Sequence, residues 1–152
     1  MSRAQQELLS RAALGAFRLN GEFLAVAEEL ARPAGLTAAR WQVLGAVTRE
    51  PLPVSGIARV MGITRQSVQR IADLLVEHGL AEYRPNPAHR RAKLLAATGR
   101  GRAAVAAIGP GHEAFARRLA EAFGEAELAQ AVRTLERLCA VLDDLGHPVT
   151  EP

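Results

Sequence analysis

Apolar residues recur every three or four positions along most of this 152-residue chain, a spacing typical of helices that bury one face. The first such stretch covers residues 5–31, and Arg32-Pro33-Ala34-Gly35 ends it because Pro and Gly interrupt the helical pattern. The same spacing predicts five further helices, over residues 37–49, 55–61, 64–78, 98–123 and 125–145. We therefore expect a mainly α-helical fold.

Hydroxyl side chains mark the predicted helix starts, where they can accept a hydrogen bond from a first-turn amide. The candidate N-cap residues are Thr37, Ser55, Thr64 and Thr98. Two caps are flanked by apolar pairs, Leu36 with Trp41 and Ile63 with Val68, which fit a hydrophobic staple. These local signals support the predicted helix boundaries.

Two short β-strands are predicted between the fourth and fifth helices, Leu80–Arg84 and Ala92–Ala96. They flank the turn-forming Pro85-Asn86-Pro87 and a basic loop, so we expect an antiparallel hairpin. In the fifth helix, Gly109-Pro110-Gly111 should cause a bend or an interruption, because Pro removes one hydrogen bond and clashes one turn back. The last helix carries apolar residues at a spacing near 3.5, typical of a helix-pairing seam.

The charge is unevenly distributed. The chain has a formal net charge of +3, but residues 54–102 contain nine Arg and Lys against three Asp and Glu. A basic block of this kind favours a polyanionic partner, although a solvated Arg-rich surface would give the same count. The single cysteine, Cys139, excludes an internal disulfide and fits a reducing cytoplasm. We find no signal peptide and no transmembrane helix, and we expect a cytoplasmic protein.

Residues 54–73 have the pattern of a helix-turn-helix. Ala58 is small where two helices would touch, and Gly62 suits a left-handed turn between them. The other packing positions are apolar: Ile57, Met61, Ile63, Val68 and Ile71. Other helical proteins share such a pattern, but the hairpin and basic loop that follow favour the helix-turn-helix.

The second helix of this motif is polarised, with apolar residues on one side and Arg and Gln on the other. Arg can bridge guanine O6 and N7, and Gln can bridge adenine N6 and N7 in the major groove. We predict that this helix reads DNA, although an ordinary amphipathic helix has the same polarity. The predicted DNA-contacting residues are Thr64, Arg65, Gln66, Ser67, Gln69 and Arg70.

Four cations, Arg84, Arg90, Arg91 and Lys93, cluster around the predicted hairpin. A loop tipped with Arg fits the minor groove or the flanking phosphates. The alternative is a solvated basic hairpin. We predict that these four residues form a DNA-binding wing.

The segment from Leu36 to Val105 resembles the MarR family of bacterial regulators. The residues that carry this resemblance are Leu36-Thr37-Ala38-Ala39-Arg40-Trp41, Gly62-Ile63-Thr64-Arg65, Leu75-Val76-Glu77-His78-Gly79-Leu80, Arg84-Pro85-Asn86-Pro87, His89-Arg90-Arg91-Ala92-Lys93 and Thr98-Gly99-Arg100-Gly101. Each piece is weakly specific, but together they cover nearly half of the chain.

The resemblance implies a triangular homodimer with one winged helix-turn-helix lobe in each subunit. Residues 35–97 would form the DNA-binding lobe, and residues 1–34 and 98–152 the helical dimerisation region. Arg91 would be the wing-tip residue at the minor groove. The chain departs from the family at His89, where an acidic residue commonly braces this Arg, and at Ala97, where a bulky residue is usual.

The resemblance also implies a repressor of a palindromic operator that a small aromatic or anionic effector releases. Phe17, Arg40 and Trp41 could line the effector pocket, although Phe17 and Trp41 are more simply explained as core residues. Cys139 could alternatively make the protein a redox-sensing regulator, but buried structural cysteines are more common. A winged-helix module that binds protein is another alternative, which the Arg and Gln face disfavours.

No enzymatic chemistry is indicated. Gly99-Arg100-Gly101 begins a G-x-G-x-x-A pattern, but a dinucleotide site needs a parallel strand after the helix, and here another helix follows. The histidines are dispersed without metal-ligand spacing. We therefore expect no catalytic residues, no cofactor and no metal.

Overall fold

The computed structural model describes residues 2–146. This part of the chain is mainly helical and contains three short strands. In chain order the elements are α1 (Arg3–Ala31), α2 (Ala38–Ala46), β1 (Leu52–Pro53), α3 (Val54–Met61), α4 (Arg65–Glu77), β2 (Ala81–Arg84), β3 (Leu94–Ala97), α5 (Gly99–Phe123) and α6 (Glu125–Leu145). A short 3₁₀ helix, Arg32–Ala34, follows α1. The predicted fold class is confirmed.

Two side chains hold the start of α2. Thr37 Oγ1 accepts a hydrogen bond from Arg40 N at 3.1 Å, which confirms the predicted cap. Glu28 of α1 accepts a second hydrogen bond, from Ala38 N to Oε1 at 3.0 Å. First-turn amides have no partner within their own helix, so Glu28 ties α1 to α2.

The helix-turn-helix is formed by α3 and α4. Gly62 adopts a φ of 68° between them, and its amide donates to Ala58 O at 2.9 Å. Ala58 is buried at 5% exposure, and Val68 of α4 is fully buried. Ile63 is 40% exposed, so the predicted staple leaves one of its two members partly in solvent.

Ser55 does not cap α3, contrary to the prediction. The N-cap is Pro53, and α3 begins at Val54, so Ser55 lies inside the first turn. Pro53 is extended, with a φ of −70° and a ψ of 154°, because Leu52–Pro53 pairs with β3 as a two-residue edge strand. This strand was not predicted. Pro has no amide to donate to a ladder, which confines it to a sheet edge.

The three strands form an antiparallel sheet in the order β1-β3-β2. The predicted hairpin is confirmed, with Ala81 paired to Ala97 and Arg84 paired to Leu94. The second strand is displaced from the predicted residues 92–96 to Leu94–Ala97. It is anchored by its last three residues, all of which are buried.

A hydrophobic core lies between α2, α3, α4 and β3. Its largest fully buried residues are Leu44, Ile57, Leu75, Leu95, Val43, Val47 and Val68. Ala31 of α1 and Ile108 of α5 also belong to this core. The helix α4 and the hairpin therefore pack against the same hydrophobic core.

The chain divides into two compact units, the first ending at Pro110 and the second beginning at Gly111. The helix α5 continues through Pro110, so the predicted interruption at Gly109-Pro110-Gly111 is wrong; the other hydrogen bonds of this 25-residue helix outweigh the one that Pro removes. No helix among residues 2–146 is long and apolar enough to cross a membrane. The division into a lobe and a dimerisation region stays a prediction, and residues 1 and 147–152 of that region lie outside the described residues.

Candidate nucleic-acid interface

The N-terminus of α4 is fixed by a reciprocal pair of hydroxyl residues. Thr64 Oγ1 accepts from Ser67 N at 3.1 Å and donates to Ser67 Oγ at 2.9 Å. Both residues were predicted to contact DNA. Their hydroxyls are engaged with each other, so in this structure they set the start and direction of the helix.

The helix α4 has the predicted polarity. Val68, Ala72 and Leu75 are buried at 1% exposure or less. The opposite side is exposed and carries Arg65, Gln66, Gln69, Arg70 and Asp73. Because the apolar side of α4 packs in the core, the polar side chains lie on its outer face.

A hydrogen-bonded network joins α4 to β2. Gln69 Nε2 donates to Asp73 Oδ1 at 3.0 Å and to the Tyr83 hydroxyl oxygen at 2.7 Å. Tyr83 in turn donates its hydroxyl proton to Asp73 Oδ1 at 2.5 Å. Gln69 and Asp73 lie one helical turn apart, whereas Tyr83 comes from the neighbouring strand.

The network perturbs both of its titratable groups. Burial raises the pKa of Tyr83 to about 12, with further contributions from its hydrogen bond to Asp73 and the negative charge of that carboxylate. The pKa of Asp73 is lowered from its usual value of 3.8 by the hydrogen bonds from Tyr83 and then Gln69. At neutral pH the network therefore consists of a neutral phenol and a carboxylate.

The wing is the loop between β2 and β3. Asn86 shapes its first turn by accepting a hydrogen bond from Ala88 N to Oδ1 at 3.0 Å. Arg90, Arg91 and Lys93 are exposed. His89 is also exposed, and its side chain has no hydrogen bond or ion pair among the described residues, so it does not brace Arg91.

Arg84 differs from the other wing cations because it has an acidic partner. Its Nε and Nη2 atoms donate to Glu82 Oε1 at 2.9 and 2.8 Å. Both side chains are about half exposed, at 47% and 50%. A phosphate contact by Arg84 would have to compete with this ion pair.

Two concave surfaces meet at Gln69. One, of about 300 Å³, is lined by Val54, Ser55, Arg65, Gln66, Gln69 and Ala92. The other, of about 240 Å³, is lined by Val54, Gln69, Tyr83, Arg91 and Lys93. The structure thus brings predicted DNA-contacting residues of α4 and of the wing onto one continuous surface.

Arg84 and Arg90 line a neighbouring concavity of about 530 Å³ with Lys93. Arg70 is exposed on α4 but lines none of these three concavities. The prediction missed Val54, Ser55 and Tyr83. Alternation along β2 could have identified Tyr83, because Ala81 is buried two residues earlier on the same face.

A separate cavity of about 240 Å³ lies on the other side of α4. It is lined by Ala34, Gly35, Arg40, Leu74, Leu75, His78, Leu80 and Arg100. His78 Nδ1 lies 2.7 Å from Leu74 O; because a carbonyl can only accept, Nδ1 carries the proton. The lining contains two guanidinium groups and no carboxylate, which favours an anionic occupant.

Phe17 and Trp41 do not line this cavity. Phe17 is 72% exposed on α1, whereas Trp41 is half-buried and packs against the hydrophobic core. Of the three predicted pocket residues this cavity includes Arg40, together with Arg100 and His78, and an effector pocket lined by Phe17, Arg40 and Trp41 stays a prediction.

Cys139 lies exposed on α6. Among residues 2–146, no group of three or more His, Cys, Asp or Glu side chains could hold a metal ion.

The chain is similar in sequence to a known protein family and to a protein from another organism. A family model described as the MarR family matches residues 34–92. An uncharacterized protein of Mycobacterium tuberculosis is 41% identical over 128 residues, covering 84% of this chain and 85% of that protein.

Solved structures are similar over nearly the whole chain. A MarR family transcriptional regulator from Streptomyces coelicolor is 29% identical, with a TM-score of 0.74, and the match covers 91% of this chain and 98% of that chain. CouR from Rhodococcus jostii RHA1, bound to p-coumaroyl-CoA, is 28% identical with a TM-score of 0.71. That match covers 80% of this chain and 86% of CouR.

Proposed function

The chain belongs to the MarR family of winged-helix transcriptional regulators, and from that premise we propose that it is a homodimeric repressor of a palindromic operator in the cytoplasm. The observation that carries this proposal is the surface on which Gln69 joins Arg65 and Gln66 of α4 to Arg91 and Lys93 of the wing. The proposal includes no catalytic activity and no cofactor.

The exposed face of α4 enters the major groove. Its first turn projects Arg65 and Gln66 beside the capped N-terminus, the end of a recognition helix that contacts base edges. Gln69 follows one turn later and Arg70 lies beside it. Arg65 and Arg70 can bind guanine or phosphate, while the glutamines provide amide groups for other bases.

The wing contacts the DNA backbone and the minor groove. Arg91 and Lys93 share a concavity with Gln69, so these cations lie beside the recognition helix and not on a distant face. Arg90 extends the positive surface. Arg84 also contacts a phosphate, but its ion pair with Glu82 must first break. The contact of Arg84 is therefore weaker than those of the other wing cations.

Dimerisation covers apolar side chains that one chain leaves in solvent. Leu8, Leu9, Leu14 and Phe17 of α1 are each more than 60% exposed. On α6 the exposed apolar residues are Val132, Leu135, Leu138, Val141, Leu142 and Leu145. Large apolar side chains left exposed along each of these helices mark an interface, and a twofold axis then presents two winged lobes to two half-sites about one helical turn apart.

Release from DNA follows binding of a small anionic effector in the cavity lined by Arg40 and Arg100. A carboxylate or phosphate there would face both guanidinium groups, and the apolar part of the ligand would contact Leu74 and Leu80. The same segment of α4 lies on the cavity wall, so an occupant that displaces Leu74 also displaces the recognition helix. The p-coumaroyl-CoA of CouR is an anionic aromatic ligand of this general chemistry.

Selection of bound sequences from a random duplex pool, followed by affinity measurements at increasing salt, tests this function. We expect a palindrome with half-sites about one turn apart and an affinity that falls as salt rises. A lack of enrichment together with salt-insensitive binding would exclude the proposal. Sedimentation of the protein alone and with the selected duplex would establish whether two chains bind one site.

A further inference from the structure

Building on the proposed function, we propose that Tyr83 is a positioning residue that fixes the base of the wing against the recognition helix α4, so that both elements meet DNA as one unit. The observation behind this inference is the network in which the Tyr83 hydroxyl joins β2 to Asp73 and Gln69 of α4. Because the groups positioned here are the proposed DNA contacts, this role of Tyr83 rests on the proposed function.

Tyr83 is held from two sides. Its backbone lies opposite Leu95 of β3, which is fully buried in the hydrophobic core. Its hydroxyl lies 2.5 Å from Asp73 Oδ1 and 2.7 Å from Gln69 Nε2. The side chain therefore spans the gap from the strand to the outer face of α4, two residues before the chain enters the wing at Pro85.

The core anchors β2 at the end away from the wing. Ala81 is buried, whereas Arg84 at the wing end is exposed. Among residues 2–146, the side-chain hydrogen bonds that join α4 to the hairpin are those of the Tyr83 hydroxyl. The wing end of β2 therefore depends on Tyr83 for its position against α4.

The hydrogen bond from Tyr83 to Asp73 has a charged acceptor. The hydrogen bonds from Tyr83 and Gln69 lower the pKa of Asp73, so its carboxyl group is ionised at neutral pH. Burial raises the pKa of Tyr83 to about 12, so the phenol keeps the proton that it donates. Hydrogen bonds to an ionised partner are shorter and stronger than those between neutral groups. The link between β2 and α4 is therefore charge-assisted.

Tyr83 also lies between the two sets of proposed DNA contacts. It lines one concavity together with Gln69 of α4 and with Arg91 and Lys93 of the wing. Among the described residues, the wing loop has no side-chain hydrogen bond to α4, and His89 does not brace Arg91. The position of Arg91 relative to the recognition helix is therefore set at the base of the wing.

This placement affects affinity because one lobe must put α4 in the major groove and the wing at the minor groove at the same time. A wing that is already held in place loses less conformational freedom on binding. Without the hydroxyl, β2 stays paired to β3, but its wing end can shift relative to α4. The contact made by Arg91 is then poorer, although Arg91 itself is unchanged.

A double-mutant cycle between Tyr83 and Arg91 tests this role. Affinity for the selected operator is measured at one salt concentration for the wild type, Tyr83→Phe, Arg91→Ala and the double variant. The fold-loss of affinity caused by Arg91→Ala should be smaller by a factor of about three or more in the Tyr83→Phe background. Equal losses in both backgrounds would overturn the positioning role. Arg70→Ala is the matched control: Arg70 lies on α4 itself, so its effect should be the same in both backgrounds.

Asp73 provides a second test if Tyr83→Phe folds poorly. Asp73→Asn keeps a carbonyl that can accept the Tyr83 proton, whereas Asp73→Ala does not, and both variants remove the same charge. The full effect of Arg91→Ala should therefore persist with Asp73→Asn and shrink with Asp73→Ala. A merely structural role would lower the Tm of these variants without changing the loss caused by Arg91→Ala, and that result would contradict the inference.

The network can also be measured without DNA. Tyr83 is the only tyrosine of the chain, so tyrosinate absorbance reports directly on its ionisation. The phenol should titrate near its raised pKa of about 12, and Asp73→Ala should lower that pKa because it removes the acceptor and its negative charge. A wild-type tyrosine that titrates at its ordinary value would overturn the network.

The outcomes separate this inference from the proposed function. Operator binding by the wild type, a reduced effect of Arg91→Ala in Tyr83→Phe and rescue by Asp73→Asn support both. Operator binding with independent effects of Tyr83→Phe and Arg91→Ala overturns the positioning role and leaves DNA recognition standing. No enrichment by the wild-type protein, with the tyrosine titration as expected, overturns the proposed function and with it the positioning of DNA contacts by Tyr83.

Discussion

Adding one methyl group at Gly101 should destabilise the protein, because α5 lies very close to the turn between α4 and β2 at this residue. A Cβ on Gly101 would lie 1.9 Å from Leu80 O and 3.1 Å from Leu44 Cδ1. Leu80 O is a backbone atom that cannot rotate away, and it also accepts a hydrogen bond from Thr98 N at 3.1 Å. Gly101→Ala must therefore displace α5 from the turn.

The magnitude can be worked from these contacts. Forcing extra volume into a packed core costs about 1–3 kcal/mol, and a contact this short with backbone lies at the upper end. Displacement also weakens two hydrogen bonds of Thr98, to Leu80 O and to Gly79 O, each worth about 1 kcal/mol. The higher helix propensity of Ala offsets about 1 kcal/mol. We expect a net loss of about 3–4 kcal/mol and a Tm lower by roughly 10 °C.

Thermal unfolding followed by circular dichroism measures this effect, at one fixed protein concentration because dimerisation couples to stability. Gly99→Ala is the matched control, since Gly99 begins the same helix and a Cβ there meets nothing within 4 Å. Its Tm should equal or slightly exceed that of the wild type. A Gly101→Ala variant as stable as Gly99→Ala would refute the argument.

Four further predictions concern the interface, the dimer, the effector cavity and pH. Arg91→Ala should weaken binding to every DNA sequence and reduce the slope of log affinity against log salt by about one; an unchanged affinity at low salt would exclude Arg91 from the wing contact. Leu138, 44% exposed on α6, should become buried in the dimer, so Leu138→Glu should weaken dimerisation by about 2 kcal/mol or more in sedimentation experiments, whereas an unchanged mass would argue against α6 as an interface. Arg40→Ala should weaken calorimetric binding of an aromatic carboxylate without lowering affinity for DNA; equal ligand binding would place the effector elsewhere. Because the pKa of Tyr83 is raised from 10.0 to about 12, the unfolded chain loses this proton first, and stability should fall as pH rises through that window. Tyr83→Phe should remove this part of the alkaline loss, and an identical profile would contradict the assignment.

The sequence was most informative where the physical cause is local. The caps at Thr37, Thr64 and Thr98 were predicted, and each hydroxyl accepts from an amide three residues later. The left-handed turn at Gly62 was also predicted and has a φ of 68°. These features depend on neighbouring residues and on the free backbone amides of a helix start, so the linear order of side chains is enough to identify them.

Strand boundaries were less predictable because pairing involves residues distant in sequence. Ser55 has a suitable hydroxyl for a cap, but the pairing of Leu52 with Leu95 and of Pro53 with Leu94 keeps the chain extended up to Pro53. The helix then begins immediately after it. Pairing with a strand about forty residues away in sequence therefore determines where α3 begins.

The chemistry of the DNA-facing surface depended on the tertiary structure in the same way. The sequence identified Gln69 and Arg84 as polar groups on an exposed helix and a wing, since periodicity and charge are visible in the order of residues. Only folding brings Tyr83 to Gln69 across 14 positions, so that the Gln69 amide nitrogen donates to the Tyr83 hydroxyl. Side-chain conformation likewise pairs Arg84 with Glu82. A residue's type fixes which hydrogen bonds it can make, but the neighbours that fold against it decide which of those bonds remain available for DNA.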